Sequence, residues 1–401
     1  MATPPIAALE IGTSRTVMCV GDSADNGRMK ITGIGIYPTT GVRKGQIIDL
    51  NSAGAGIQKA SAQAEKQAHA EIWQAMLGIS GCHIKADTNT GVLQIRSGGN
   101  VVSGEDIYEV SEYAKDMQLD SDRQILHTIE QSYKLDDQSG IIKPEGMRCK
   151  TLSKNMLIVH GQKSKIDNAI SAVKSTPIDV ADVAYTGICA ALAVLTEEQK
   201  RNGVVLIDLG GGTTDYVVYS NEIITAAGCI AVGGDHVTND IALAFNIPQV
   251  RAEAVKLSEG CAIVDAEYSV GRVSLTADVG FEERAMSRKA LHTVINARMD
   301  ETFRVLRTKL DDAGLLPQMG GGIVLTGGGA YLRKVTELAQ RVFGLPCRIG
   351  SPVDDVIGWE SMEQPAALAS AIGLVLYGQK TYESRNEPNP VVKFITKVFK
   401  R

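Results

Sequence analysis

The chain has 401 residues, 44% hydrophobic and 22% charged, with a formal net charge of −5. That length allows about two to three domains with a packed core, and the mildly acidic balance argues against nucleic acid as a partner of the body. Seven cysteines without C-x-x-C spacing and six histidines without metal-ligand spacing exclude a zinc module or a disulfide framework, and read as a chain of the reducing cytoplasm.

The N-terminus has no basic stretch and Glu10 interrupts its apolar start, so no signal peptide is expected. No run approaches the ~18 apolar residues of a spanning helix. Residues 6–11, 16–20 and 30–37 read as strands, 52 to about 71 as a helix and 76–80 as a strand. Residues 83–162 change character: strands at 91–95 and 156–160 surround a helix opened by a Ser103-x-x-Asp106 capping pattern. Beyond them a strand (178–183) leads to a helix (187–195). Gly233-Gly234-Asp235 opens another helix to Phe245, and Pro248 occupies the first turn of a further one. A long amphipathic helix is expected over 282–313, a strand over 320–325, a helix over 330–343, and a last body helix over 363–377 capped by Ser361 with Gln364. Residues 378–388 read as a polar linker.

Two segments in this succession read as copies of one device. Leu9-Glu10-Ile11-Gly12-Thr13-Ser14 precedes the apolar residues 17–20, and Ile207-Asp208-Leu209-Gly210-Gly211-Gly212-Thr213-Thr214-Asp215 precedes 216–219. Each is an apolar strand ending in a carboxylate, a glycine and hydroxyl turn, and a second apolar strand. Glycine lets backbone N–H groups approach a phosphate closely, and Ser or Thr adds hydroxyl donors. A carboxylate at the strand end suits a hydrated Mg²⁺, making Glu10 and Asp208 the candidate metal residues. A third turn, Thr326-Gly327-Gly328-Gly329, opens a helix and offers close backbone approach to phosphate or ribose. Two such hairpins facing each other would clamp a triphosphate between similar lobes.

These residues resemble the actin/Hsp70/sugar-kinase superfamily and, within it, the FtsA family of bacterial cell-division proteins. The superfamily likeness rests on the two hairpins and on Gly327-Gly328-Gly329. The narrower one rests on Gly233-Gly234-Asp235-His236-Val237-Thr238-Asn239-Asp240-Ile241-Ala242, on Ala252-Glu253-Ala254-Val255-Lys256 and on Gly260-Cys261-Ala262. Ile79-Ser80-Gly81-Cys82-His83-Ile84, Arg123-Gln124-Ile125-Leu126-His127 and residues 140–147 resemble that family's inserted subdomain. Residues 195–198 and 374–378 also fit.

The resemblance implies an α/β, actin-like two-lobed fold with an inserted small α/β subdomain and a C-terminal amphipathic helix. Residues 1–82, 163–200 and 353–378 would form the first lobe and 83–162 the insert. Residues 201–231 with 315–352 would form the second lobe, 232–314 its small subdomain, and 379–388 a linker to the helix at 389–401. It implies ATP and Mg²⁺ in the cleft. Gly12, Thr13 and Ser14 would hold the terminal phosphates from one side and Gly210, Gly211, Gly212, Thr213 and Thr214 from the other. Gly234, Glu253, Lys256, Gly327, Gly328 and Gly329 would surround ribose and base. It further implies filaments of this chain on the cytoplasmic face of the inner membrane at the division septum, FtsZ as partner, and contacts with downstream division proteins. The FtsZ-binding surface would fall within 232–314, where Arg288 and Arg298 are exposed-looking candidates.

Two departures bear on chemistry. The first hairpin carries Glu10 where the superfamily normally has Asp, moving the carboxylate outward by about 1.5 Å. The segment Ala184-Tyr185-Thr186-Gly187-Ile188 holds Thr186 near the place of the usual water-orienting Gln or Glu. Asp208 then remains the candidate catalytic carboxylate, and the expectation is ATP binding with slow hydrolysis.

In the tail, Asn389 suits an N-cap and Pro390 a first helical position. Val391, Val392, Phe394, Ile395, Val398 and Phe399 fall on one helix face, and Lys393, Lys397 and Lys400 on the other. This is the pattern of an interfacial helix on anionic lipid, each Lys adding about 1 kcal/mol. The polar linker separates it from the body, against a helix docked on its own core. Among the alternatives, a small-molecule kinase of the superfamily lacks a recognisable acceptor site in 83–162. An Hsp70-like chaperone would need a longer chain after the glycine turn. A related pilus-assembly scaffold shares the insert, but not the 233–242 signature and tail.

Overall fold

The structure is a computed structural model that describes residues 5–24, 27–96, 99–275 and 283–386. The chain opens with β1 (Ile6–Ile11), β2 (Arg15–Ser23) and β3 (Met29–Pro38). A small ribbon, β4 (Val42–Arg43) and β5 (Gln46–Ile47), then leads to α1 (Leu50–Ala68) and β6 (Gln74–Ile79). Asp49 starts α1 by accepting from the N–H groups of Asn51 and Ser52, which leaves the helix free to lay its Ala-rich face on β2 and β3.

Next comes a four-stranded unit of β7 (Lys85–Gln94), α2 (Gly104–Lys115), β8 (Arg123–Leu135), β9 (Gln138–Ile141) and β10 (Thr151–Gln162), with sheet order β7-β10-β8-β9. The expected Ser103 cap is present as a full capping box with Asp106. α3 (Lys163–Lys174) and β11 (Asp179–Tyr185) return the chain to the first sheet. That sheet has order β11-β6-β1-β2-β3-β19: an antiparallel meander of β1 to β3 extended in parallel by β6 and β11.

α4 (Thr186–Val194) is buried along its whole length and packs between the first sheet and the second. A helix apolar all round belongs in an interior. α5 (Glu197–Asn202) then delivers β12 (Val204–Leu209), β13 (Thr214–Ser220) and β14 (Ile223–Ile230). Every residue of β12 is buried, the pattern of a strand covered on both faces. α6 (Gly234–Phe245), α7 (Gln249–Glu259), the hairpin β15 (Arg272–Leu275) with β16 (Arg284–Ser287), and α8 (Arg288–Asp312) form the small subdomain. β17 (Ile323–Thr326), α9 (Val335–Phe343) and β18 (Cys347–Ile349) complete a second sheet of order β14-β13-β12-β17-β18. β19 (Val356–Ile357) and α10 (Ala369–Asn386) go back to the first lobe. The second sheet repeats the first: a three-strand meander extended in parallel from its first strand. One large core joins the first sheet to one face of the second, with Val204, Leu206 and Val217 among its members, and another covers the second sheet's opposite face.

Several elements differ from expectation. β8 and α3 are not among the expected ones; α3 has no side-chain N-cap to mark its start. The long helix begins at Arg288 rather than 282, because residues 284–287 pair with β15 and Ser287 caps the helix by accepting from Ala290 N–H. The helix expected over 330–343 begins only at Val335. Cys261 bridges Arg333, Ala262 N–H donates to the Arg333 carbonyl at 2.8 Å, and Lys334 turns left-handed with φ 59°. Ser361 does not cap the last helix: Pro365, directly after Gln364, opens a single 3-10 turn before α10. Finally, α10 continues through Asn386, so residues 378–386 are helical rather than an irregular linker. The expected helix at 389–401 lies outside the described residues. No helix among the described residues is long and apolar enough to cross a membrane.

Candidate functional site

The two glycine turns close in the same way. Gly12 N–H donates to the Arg15 carbonyl at 3.0 Å, and Gly210 N–H to the Thr213 carbonyl at 3.0 Å. A Cβ at either glycine would meet that carbonyl, at 2.8 and 2.9 Å. Glu10 ends β1 opposite Val17, and Asp208 lies opposite Asp215 across β12 and β13. The turns face each other across the interlobe cleft: a Cβ at Gly211 would lie 2.5 Å from Ser14 Oγ.

Between them is a cavity of about 460 Å³, within the size range of small-molecule sites. Glu10, Gly12, Thr13, Ser14, Asp208, Gly210, Gly211, Thr213 and Thr214 line one end of it. Gly234, Glu253, Lys256, Gly327, Gly328 and Gly329 line the other end. Gly212 does not line it. That residue is packed against the β4–β5 turn, where a Cβ would lie 2.9 Å from Lys44 Cα. The membrane-binding candidates Val391, Val392, Lys393, Phe394, Ile395, Lys397, Val398, Phe399 and Lys400 lie outside the described residues.

Carboxylates crowd the end formed by the two glycine turns. Burial pushes the Asp208 carboxyl well above the usual range, and the charges of Glu10 and Asp215 add to this. Burial likewise raises Glu10, against the Ser370 hydroxyl that donates to its Oε2 at 2.6 Å and against Arg15. Asp215 is pushed up to about 6, again by burial. Buried carboxylates held this close are costly when charged, and a cation among them relieves the cost. The donor set fits Mg²⁺, which uses one or two carboxylates plus phosphate oxygens. Among the described residues, no group of three or more His, Cys, Asp or Glu side chains is arranged to hold a metal by itself.

At the far end, Lys256 Nζ is 2.6 Å from Glu253 Oε2, donates to Thr238 Oγ1 at 2.9 Å and to the Gly234 carbonyl at 3.2 Å. The pair is therefore built into the α6–α7 joint on the cavity wall rather than lying on an open surface. Gly327 adopts φ 81° and sits against Asp208, where a Cβ would also lie 2.5 Å from the Leu209 carbonyl. A Cβ at Gly328 would meet nothing, so the turn leaves open space for a ligand there.

Several cavity residues stand outside the motifs read from sequence. Arg15, whose guanidinium donates to the Ala367 carbonyl, follows the first turn directly. Ser80, Asp215 and Ser370 come from separate elements; Ser80 and Asp215 stood inside quoted motifs without a site role, and Ser370 had no signal. Thr186 lines the cavity and is buried at the start of α4. Arg288 and Arg298 are not open surface cations: Arg288 pairs with Glu259 at 2.8 Å, and Arg298 with Asp240 at 2.6 Å and Glu301 at 2.6 Å.

Comparison with known proteins follows the same lines. Residues 205–373 match the family model described as cell division protein FtsA, and residues 81–160 match the SHS2 domain inserted in FtsA. Cell division protein FtsA of Pseudomonas aeruginosa is 33% identical over 93% of this chain and 89% of its own. The Escherichia coli (strain K12) protein is 32% identical over 94% and 91%. Among solved structures, the PilM-PilN type IV pilus biogenesis complex aligns with TM-score 0.65 at 15% identity, covering 93% of this chain and 98% of that one. MreB5 of Spiroplasma citri bound to ADP aligns with TM-score 0.53 at 17% identity, covering 96% and 99%. The fold is thus actin-like, and the chain belongs to the FtsA family of cell division proteins.

Proposed function

We propose that this chain binds ATP with Mg²⁺ in the interlobe cleft and polymerises on the cytoplasmic face of the inner membrane. There it would anchor FtsZ filaments at the division site and contact downstream division proteins. The observation that carries the reading is the pair of equivalent turns facing each other across the 460 Å³ cavity, each strand end bearing a carboxylate. Backbone N–H groups and the hydroxyls of Thr13, Ser14, Thr213 and Thr214 would hold the phosphates. Glu10 and Asp208 would hold Mg²⁺, which neutralises phosphate charge when bound. Lys256, Glu253 and the 327–329 turn would position ribose and base. The MreB5 relative of this fold was solved with ADP and its MreB 5 counterpart with AMPPNP.

Slow hydrolysis follows from the chemistry near the terminal phosphate. Thr186 offers only a hydroxyl, which donates to the Ile79 carbonyl at 3.4 Å. Asp208 is the carboxylate left to orient water, and the same carboxylate is the candidate Mg²⁺ ligand, so it cannot serve freely as a base. ATP then acts as a switch between assembly states rather than as fuel for turnover.

The membrane part rests on the sequence of 389–401, whose apolar and Lys faces are those of an interfacial helix. One such helix binds reversibly, and a filament carrying many gains avidity. Negative-stain electron microscopy of the protein with ATP on an anionic lipid monolayer tests the whole reading. Filaments on the lipid are expected. A bare monolayer counts against polymerisation and tail together.

A further inference from the structure

The phosphate end of the cleft is tied to the root of the inserted subdomain. Asp215, on the far strand of the second turn, is 4% exposed and is contacted from the opposite lobe by two hydroxyls. Ser80 Oγ donates to its Oδ2 at 2.6 Å, and Tyr185 O–H approaches its Oδ1 at 3.1 Å. Tyr185 O–H also donates to the Gly228 carbonyl at 2.6 Å, on the strand beside Asp215. Ser80 follows β6 directly, and the SHS2 insert begins at residue 81. Tyr185 ends β11 and leads into α4.

The other side of Ser80 is equally constrained. Its Oγ lies 3.3 Å from Thr213 Oγ1, inside the second turn. Gly45 of the β4–β5 turn donates its N–H to Thr13 Oγ1 at 3.0 Å, and a Cβ there would lie 3.2 Å from the Ser80 carbonyl. The residue at the insert's root therefore touches the second turn directly and reaches the first through Gly45. A second tie joins the insert to the same lobe: Gln131 Nε2 on β8 donates to the Ile224 carbonyl on β14 at 2.8 Å.

We propose that Ser80 and Tyr185 are positioning residues that fix Asp215, and with it the second phosphate turn, so that occupancy by the terminal phosphate is transmitted through Ser80 to the insert. The inference rests on the nucleotide reading above and deepens it. A triphosphate touches both turns and holds the ties in place. A diphosphate leaves the terminal-phosphate seat empty, and the insert root is free to loosen.

Hydrogen exchange of the full chain with ATP and with ADP, read over residues 81–160, tests this alongside nucleotide affinity. In the wild type, ATP should slow exchange at the insert root about tenfold more than ADP. Ser80→Ala should abolish that difference and lower the ATP-over-ADP preference by about tenfold. Ser80→Thr, which keeps a hydroxyl, should restore both, a rescue that a merely structural role would not give. Tyr185→Phe should reduce the difference without removing it. A wild type that binds neither nucleotide overturns the reading and the inference together. A wild type that binds ATP, with Ser80→Ala retaining the full exchange difference, overturns the inference alone.

Discussion

The two glycine turns have the same strand arrangement, the same closing hydrogen bond and different moorings. The first is held within its own lobe: Ser370 grips Glu10 and the β4–β5 turn grips Thr13. The second is held from several sides. Gly234 and Asp235 N–H groups donate to the Gly210 and Gly211 carbonyls at 2.9 and 2.8 Å, Thr214 Oγ1 donates to the Val232 carbonyl at 2.7 Å, and Asp215 is held by the other lobe. The first turn has one glycine and a long carboxylate; the second has three glycines and a short one. Duplicated sequence here gives duplicated geometry, while the unduplicated contacts give each copy its own set of partners.

That contrast breaks first at the carboxylates. Asp208 is pressed by Glu10, Asp215 and the 327–329 turn, whereas Glu10 keeps a hydroxyl partner. Asp208→Asn should therefore lower Mg²⁺-dependent ATP affinity by about a hundredfold, and Glu10→Gln by about tenfold. Asp208→Asn should also raise the thermal midpoint of the ligand-free protein, since it removes an acid whose ionisation the buried, crowded site opposes. Equal losses at both positions would erase the distinction between the turns.

The shared geometry makes the next comparison sharper. Gly12→Ala and Gly210→Ala place a methyl at 2.8 and 2.9 Å from matching carbonyls. Overpacking of this kind costs about 1–3 kcal/mol. The two variants should lose ATP affinity by about tenfold each, within a factor of about three of one another. A large disparity in titration calorimetry would mean the turns are not equivalent in use.

A smaller effect is expected at the other end of the cavity, where Lys256 ties α6 to α7. Lys256→Ala should weaken ATP and ADP alike, by about fivefold, because it touches no terminal phosphate.

The most gradual effect is in pH. The Asp215 carboxyl is pushed from 3.8 to about 6 in the folded chain. The folded state thus holds this proton more tightly than the unfolded one, so stability falls as pH rises from about 4 to about 6 and returns on acidification. The difference in unfolding free energy between wild type and Asp215→Asn should shift by about 1 kcal/mol per pH unit across that window. A pH-independent difference would place Asp215 in a more polar setting than its burial implies.

Much of this is legible in the chain. The turns announce themselves through Gly12 and through the glycines and hydroxyls of residues 210–214 beside apolar strands. The Ser103 cap and the α6 start at Gly234 fall where local pattern puts them. What is not legible comes from contacts across long sequence separations. Ser370 reaches Glu10 and Ser80 reaches Asp215 only after the sheets are assembled. The same holds for the chain at Arg333, drawn straight by Cys261, and for Arg298, whose partner Asp240 sits on another helix. Local propensity carries no trace of such partners.

Titration calorimetry of the full chain with ATP, with and without Mg²⁺, tests the central claim most directly, using Asp208→Asn as the paired variant. The account predicts saturable binding of one nucleotide per chain that strengthens with Mg²⁺ in the wild type and loses that Mg²⁺ dependence in the variant. Absence of binding by the folded wild type, or binding equally strengthened by Mg²⁺ in both proteins, would contradict it.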